Sequence, residues 1–243
     1  MNSSNWFFLV MVNALLFFIL KFNDDLNRKR IINYISIQQI KLYLILASIF
    51  LIEYYFINSI YHDKYYNIFG ASIRSFITSL YIFLICKNYF NSLFIIKIDI
   101  KKTLIIVIIS SVFALLILNL QEYLFYLVNR KLPIEYGVYL SEYYLLIGFV
   151  FYAALPAIFE EIFFRGLIFD KLKLIYSGKN SIIISSILFY LIHLVYGTFL
   201  TFLYILPLGF FLGYLRNKYN NLLYPIVSHF FYNFVVFLYP IIK

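Results

Sequence analysis

Long apolar segments separated by short polar stretches run along all 243 residues of the chain. A transmembrane helix needs about 20 mostly apolar residues, within a range of about 17–25. About eight segments come close to that length or exceed it. They lie at roughly residues 5–20, 42–60, 73–95, 103–128, 143–170, 181–196, 198–215 and 222–242. The pattern predicts an all-α fold: a polytopic membrane helical bundle with about eight transmembrane helices.

The segments differ in how clearly they are bounded. Lys87, Asn88 and Asn91 interrupt the third segment, and the sixth and seventh meet at Gly197, where a tight helical hairpin is expected. The chain shows no internal repeat, low-complexity linker or stretch with the composition of a soluble domain. We therefore expect residues 1–243 to form a single integral membrane domain.

Composition and charge agree with this layout. Hydrophobic residues make up 64% of the chain and charged residues 13%, against about 45–50% and about 25% in soluble domains. The net charge is +9, but the basic residues lie between the apolar segments, which favours the positive-inside rule over nucleic-acid binding. With the N-terminus outside, they divide about three to one in favour of the inner side. Both termini are thus predicted outside. Phe, Tyr, Ile, Asn and Lys are abundant, as expected of an AT-rich genome, which suggests a bacterium and its cytoplasmic membrane.

Two short features exclude other classes. The apolar segment 6–20 lacks a basic n-region and a small-residue cleavage site, so we interpret it as a retained first span. Cys86 is the only cysteine, which excludes an intrachain disulfide and a multi-cysteine metal site.

Ionisable residues within the apolar segments are the candidates for function. Glu160 and Glu161 form the only adjacent glutamate pair, in the stretch "AIFEEIFFRGLIF", and two of the three histidines, His193 and His229, also lie in apolar segments. At 1.5 Å per residue, the three segments bring these groups to depths of about 12–18 Å. A charged group at that depth is costly and is expected to face the bundle interior, where it marks a functional site.

Spacing within each segment pairs these residues further. Arg165 follows Glu161 by four residues, which places both on one helix face, where the arginine can hold the carboxylate ionised. Glu160 points about 100° away around the helix and is expected to meet another helix. A desolvated carboxylate there suits a general base working near neutral pH. The simpler alternative is a buried polar network that only fixes helix packing.

Three motifs together resemble a known family. They are EExxxR in "EEIFFR" (160–165), FxxxH in "FYLIH" (189–193) and HxxxN in "HFFYN" (229–233). In this order, on late apolar segments, they resemble the CPBP (Abi) family of type II CAAX prenyl endopeptidase-like intramembrane glutamate proteases. The resemblance covers about residues 140–240. It divides the chain into N-terminal helices without a recognised motif (1–140) and catalytic helices (141–243).

The resemblance implies a role for each motif residue. Glu160 would be the general base, His193 would help to hold the attacking water, and Arg165 would brace Glu161. His229 and Asn233 would donate hydrogen bonds to the developing oxyanion. The bottom-up argument agrees, because peptide hydrolysis needs a base within reach of a water and donors aimed at the tetrahedral oxygen.

The resemblance also bears on cofactors and partners. Two histidines and a glutamate are a known zinc-binding set, but the HExxH arrangement is absent and the resemblance implies water activation without zinc, so no cofactor is expected. The expected partners are membrane lipid and a peptide or membrane-protein substrate, such as a bacteriocin, a peptide-signal precursor or a CAAX-like protein. Neither a nucleic-acid partner nor a particular oligomeric state is indicated.

Two other functions stay open at this point. Series of Glu and His residues within membranes also carry protons in proton-coupled transporters. Many transporters repeat the first half of their sequence in the second half, but such a repeat is not detectable here. A non-catalytic bacteriocin immunity or scaffold protein is the other alternative. For a protease, substrate access from the cytoplasmic side is expected.

Overall fold

The computed structural model describes residues 98–127, 142–174, 176–193 and 202–242, with short pieces between 75 and 86. These residues lie in the second of the two units into which the chain divides, His62–Lys243. The predicted spans 5–20 and 42–60 lie outside the described residues, as does the predicted hairpin at Gly197. The single membrane domain over 1–243 stays a prediction.

Five helices make up the four longer stretches. They are α1 (Ile100–Leu127), α2 (142–173), α3 (Gly178–His193), α4 (Phe202–Tyr219) and α5 (Leu223–Ile242). Each overlaps one of the last five predicted segments, and the described part of the chain contains no strand. The all-α prediction is therefore confirmed for this part.

Two stretches of these helices are long and apolar enough to cross a membrane, Ile100–Leu124 and Leu145–Lys173. Shorter apolar helices occupy Gly178–Leu191 and Leu223–Tyr239. On α1 the exposed side is itself apolar, as Ile108 and Leu116 show with 62% and 64% exposure. An apolar exterior of this kind suits a lipid environment, whereas the total of eight spans stays a prediction.

Helix α2 alternates between α-helical and π-helical segments. They are Glu142–Ile147 (α), Gly148–Ala154 (π), Leu155–Glu161 (α), Ile162–Ile168 (π) and Phe169–Lys173 (α). Pro156 follows the first π segment. Because proline has no N–H and its ring clashes with the carbonyl one turn earlier, it disfavours a regular α-helix there. The N–H of Leu155 accordingly bonds to the carbonyl of Val150, five residues back. Single-turn π segments are frequent at functional sites.

Two glycines of α4 let it approach α3 closely, as the GxxxG spacing predicts. A Cβ atom on Gly209 would lie 3.2 Å from Cβ of Ser186, and one on Gly213 would lie 3.1 Å from Cγ2 of Ile182. Helix α4 ends at Tyr219, and the next residue, Asn220, has a φ of 47°, the left-handed conformation that commonly follows a helix.

Helix α5 packs against α1, α2 and α4. Between α1 and α5 the Oγ atoms of Ser110 and Ser228 are 2.7 Å apart, in a buried hydrogen bond next to His229 in the sequence. A cluster of buried apolar residues continues this contact along the helices: Ala114, Leu208, Leu212 and Tyr232. Helix α5 is thus fixed where it carries its histidine.

Candidate active site

The centre of the candidate site is a fully buried ion pair. Glu161, the last residue of an α segment of α2, accepts a 2.9 Å hydrogen bond from Nη1 of Arg165, and both side chains are 0% exposed. The pairing predicted from the spacing of four residues is therefore present. A charged pair without exposure must be matched closely to offset its desolvation.

His229 of α5 joins this pair. Its Nδ1 lies 2.9 Å from Oε1 of Glu161, the same oxygen that Arg165 contacts. Because an ionised carboxylate only accepts hydrogen bonds, Nδ1 of His229 carries the proton and donates it. Oε2 of Glu161 is buried and has no hydrogen-bond partner among the described residues. One oxygen of Glu161 thus binds α2 to α5.

An aromatic ring supports the charged groups from α3. The guanidinium carbon of Arg165 lies 4.4 Å from the centre of the Phe189 ring, a cation–π distance. The same ring has centroid distances of 4.5 Å to His193 and 5.7 Å to His229. Phe189 is buried, and the first residue of the FxxxH motif therefore separates the two imidazoles and holds the arginine.

Glu160 and His193 form a second pair, between α2 and α3. Oε2 of Glu160 lies 3.7 Å from Nε2 of His193, with side chains 23% and 20% exposed. The expectation that Glu160 meets another helix agrees with this geometry. At 3.7 Å the two atoms are too far apart for a direct hydrogen bond, but one water to the side of the line between them can contact both.

The backbone fixes which nitrogen of His193 faces the glutamate. Nδ1 of His193 lies 2.7 Å from the carbonyl oxygen of Phe189. A carbonyl only accepts, so Nδ1 carries the proton, and in the neutral imidazole Nε2 is an acceptor. A water next to Glu160 and His193 would therefore meet two acceptors, which is the arrangement that makes its oxygen a better nucleophile.

Asn233, the last of the six candidate residues, follows His229 by one turn of α5. It is partly exposed, and within the described stretches its side chain forms no hydrogen bond with the other five. The structure therefore brings five of the six candidates into two contacting groups and leaves Asn233 one turn away. The catalytic roles of all six stay predictions.

The comparisons concern this same part of the chain. Residues 142–235 match the family model described as "Type II CAAX prenyl endopeptidase Rce1-like". This region belongs to the CPBP/CAAX protease family. Searches of the curated proteins and of the solved structures found no match. The family is one of membrane-embedded proteases, which agrees with the apolar helices.

The CAAX-protease region contains all six candidate residues, and also groups that the sequence did not single out. Phe189 belongs to the FxxxH motif, but the sequence did not predict its contact with Arg165. The carbonyl of Gly209 accepts a 3.0 Å hydrogen bond from Nη2 of Arg165. Arg216 follows the predicted segment 198–215 and is one of the basic residues expected between segments, whereas it lies in the last turn of α4 and is 8% exposed. The spacing of seven residues between Gly209 and Arg216, which puts both on one face of α4, was the available signal.

The histidines and glutamates of the CAAX-protease region also bear on metal binding. Both imidazoles donate through Nδ1, which leaves Nε2 of His193 and of His229 as the atoms available to a ligand. Among the described residues, however, no three side chains of His, Cys, Asp or Glu are grouped so that they could hold a metal ion. The absence of a cofactor stays a prediction that requires its own test.

Proposed function

We propose that the protein is an intramembrane endopeptidase that hydrolyses a peptide bond with a water activated by Glu160. The observation that carries the proposal is the Glu160–His193 pair, 3.7 Å apart and partly exposed, beside a second glutamate that is fully buried and ion-paired. Membership of a protease family supports the same activity.

In the proposed reaction, Glu160 takes a proton from water while the water oxygen attacks the carbonyl carbon of the substrate. His193, a neutral acceptor at Nε2, orients the second hydrogen of that water. The attack gives a tetrahedral oxyanion. Glu160 then passes its proton to the amide nitrogen, the C–N bond breaks, and the products are a carboxylic acid and an amine. This is general acid–base catalysis by one carboxyl group.

His229 is assigned to the oxyanion. Its Nδ1 donates to Glu161, so its Nε2 can donate only when the ring is protonated. The oxyanion role therefore requires the imidazolium, whose Nδ1–H donates to Glu161 as a catalytic histidine donates to a buried carboxylate. Asn233, one turn further along α5, is assigned as the second donor once the substrate is bound. Losing one oxyanion donor typically lowers the rate about 10²–10³-fold.

The substrate class follows from the location of the site. Partly exposed groups within apolar helices favour a peptide that is itself held at the membrane. We propose a CAAX-like protein, a bacteriocin or a peptide-signal precursor, reached from the cytoplasmic side. We also propose that the protein lies in a bacterial cytoplasmic membrane, with both termini outside.

The test uses purified protein in detergent micelles and internally quenched peptides. One peptide carries a C-terminal farnesylated CAAX sequence, a second lacks the farnesyl group, and a third set has unmodified apolar sequences. Loss of a general base typically lowers a rate about 10²–10⁴-fold, so Glu160→Gln is expected to reduce cleavage to that extent. Glu122→Gln on α1 is the matched control, and a chelator added to the parent protein is expected to leave its rate unchanged.

The outcomes separate the alternatives. If Glu160→Gln cleaves as fast as the parent, the assignment of the base is wrong. If the chelator abolishes cleavage and zinc restores it, the metal-free mechanism is wrong. Should the folded parent bind peptides without cleaving any of them, a non-catalytic immunity or scaffold protein becomes the better explanation.

A further inference from the structure

Arg216 of α4 holds the backbone of the candidate site at one point. Its Nε donates a 2.9 Å hydrogen bond to the main-chain carbonyl of Arg165, 51 residues earlier in the chain. Its Nη2 lies 2.8 Å from Oδ1 of Asp170, and its Nη1 lies 2.9 Å from Oδ1 of Asn220. All three nitrogens of this buried guanidinium therefore form hydrogen bonds, and two of these bonds go to α2.

The carbonyl of Arg165 is accessible to Arg216 because of the local helix geometry. In a regular α-helix this carbonyl would accept from the N–H of Phe169, four residues later. The N–H of Phe169 instead bonds to the carbonyls of Phe164 and Gly166, as expected at the end of a π segment. A guanidinium from the neighbouring helix thus takes the position that a backbone N–H would otherwise fill.

Helix α4 contacts Arg165 at both ends. Gly209 accepts a hydrogen bond from its guanidinium, 3.0 Å away, and Arg216 donates one to its carbonyl. Gly209 and Arg216 are seven residues apart and share a face of α4. Helix α4 therefore fixes both the main chain of Arg165 and the end of its side chain.

Arg165 is in turn the partner of Glu161, and Glu161 is the partner of His229. We propose that Arg216, paired with Asp170, is a positioning residue that keeps Ile162–Ile168 in its π-helical form and thereby holds the Arg165–Glu161–His229 contacts. Without Arg216, the segment gains by returning to the α-helical pattern, because the Arg165 carbonyl then accepts from the N–H of Phe169. Such a return rotates the residues before the segment by about 100° relative to the residues after it.

The roles of His229 and Glu161 in this inference rest on the proposed function, but their contact does not. The test therefore combines a kinetic and a spectroscopic measurement. The chain has three histidines, so selective ¹⁵N-histidine labelling gives a simple NMR spectrum in detergent. His62→Gln and His193→Gln variants assign the remaining signal to His229, whose Nδ1–H donates to a carboxylate.

The main variant is Arg216→Met, which keeps a long apolar side chain but removes every donor. A misplacement of about 1 Å far from the chemistry can cost about 10²-fold in rate. We therefore expect kcat for the peptide that the parent cleaves best to fall by about that factor, with KM within about twofold. The Nδ1–H signal of His229 is expected to shift or broaden. Lys218→Met, an exposed cation two residues later on α4, is the matched control and should change neither readout.

If Arg216→Met does not fold, Arg216→Lys is used in its place. One ammonium group can pair with Asp170 but cannot reproduce the fork that also reaches the Arg165 carbonyl. It is expected to restore the thermal stability while kcat stays at least about tenfold below the parent and the His229 signal stays shifted.

The inference is overturned if folded Arg216 variants keep the parental His229 signal, or if they lose only stability while kcat per folded molecule is unchanged. A parent protein that cleaves none of the peptides would contradict the proposed function alone. In that case the NMR comparison of Arg216→Met or Arg216→Lys with Lys218→Met still decides the positioning role.

Discussion

Replacing Arg165 by methionine tests the physical centre of the site, the buried ion pair. The guanidinium donates to Glu161 at 2.9 Å and to the carbonyl of Gly209 at 3.0 Å, and it stacks on Phe189. Methionine has a similar length and keeps an apolar contact with the ring. The substitution therefore removes the charge and the hydrogen bonds while it changes the packing little.

The expected magnitude follows from burial. Both charged side chains are 0% exposed, so after Arg165→Met the carboxylate of Glu161 remains buried without its cation. Breaking a buried pair in this way costs about 3–5 kcal/mol. In the double variant Glu161→Gln/Arg165→Met neither charge remains. The double variant is expected to be more stable than the sum of the single effects predicts, with a coupling energy of roughly 1–3 kcal/mol.

The free energy of unfolding can be measured in mixed micelles by titration with SDS, followed by far-ultraviolet circular dichroism. Lys173→Met is the matched control, because this lysine lies on the same helix and is exposed, with its Nζ 5.8 Å from the centre of the Phe169 ring. Its replacement should cost no more than about 1 kcal/mol. The reasoning is refuted if Arg165→Met costs no more than Lys173→Met, or if the two site substitutions are simply additive.

Two further predictions concern how α5 is held against its neighbours. A Cβ atom on Gly148 would overlap with the ring of Phe237, so Gly148→Ala should destabilise the protein by about 1–3 kcal/mol in the same titration. Adding Phe237→Leu should recover part of the loss, and an unchanged midpoint for Gly148→Ala would contradict the close contact. Ser110→Ala should cost about 1–3 kcal/mol because it leaves the buried hydroxyl of Ser228 without its partner. The double Ser110→Ala/Ser228→Ala variant should be closer to the parent, and equal losses in both would argue against the bond.

Contacts within one helix were predictable from the sequence, because helical spacing alone determines them. The Glu161–Arg165 pair follows from a separation of four residues. The helices themselves follow from long apolar segments. These inferences need no knowledge of how one helix is rotated relative to another.

Contacts between helices depended on that rotation and were not predictable. The sequence could not indicate whether His193 or His229 faces Glu160, because two adjacent glutamates differ by about 100° in direction. The π segments on either side of Leu155–Glu161 change the rotation again, and they leave no signal in an apolar pattern. The role of Arg216 was equally hidden, because the predicted segment ends at residue 215 whereas α4 continues to Tyr219.

Adjacency of the two glutamates explains why a site of this kind can combine a fixed charge with a working base. A carboxylate that already accepts from an arginine and a histidine, as Glu161 does, is occupied by those contacts and is poorly placed to carry a proton. Its neighbour Glu160 necessarily points in another direction from the same rigid helix, toward a histidine that presents an acceptor. Under the proposed mechanism, the first carboxylate keeps α2 and α5 in position while the second takes up and releases a proton. With only one of these glutamates, a single side chain would have to hold the ion pair and also transfer the proton. An ion pair requires a stable carboxylate, whereas proton transfer requires a carboxylate that is readily protonated.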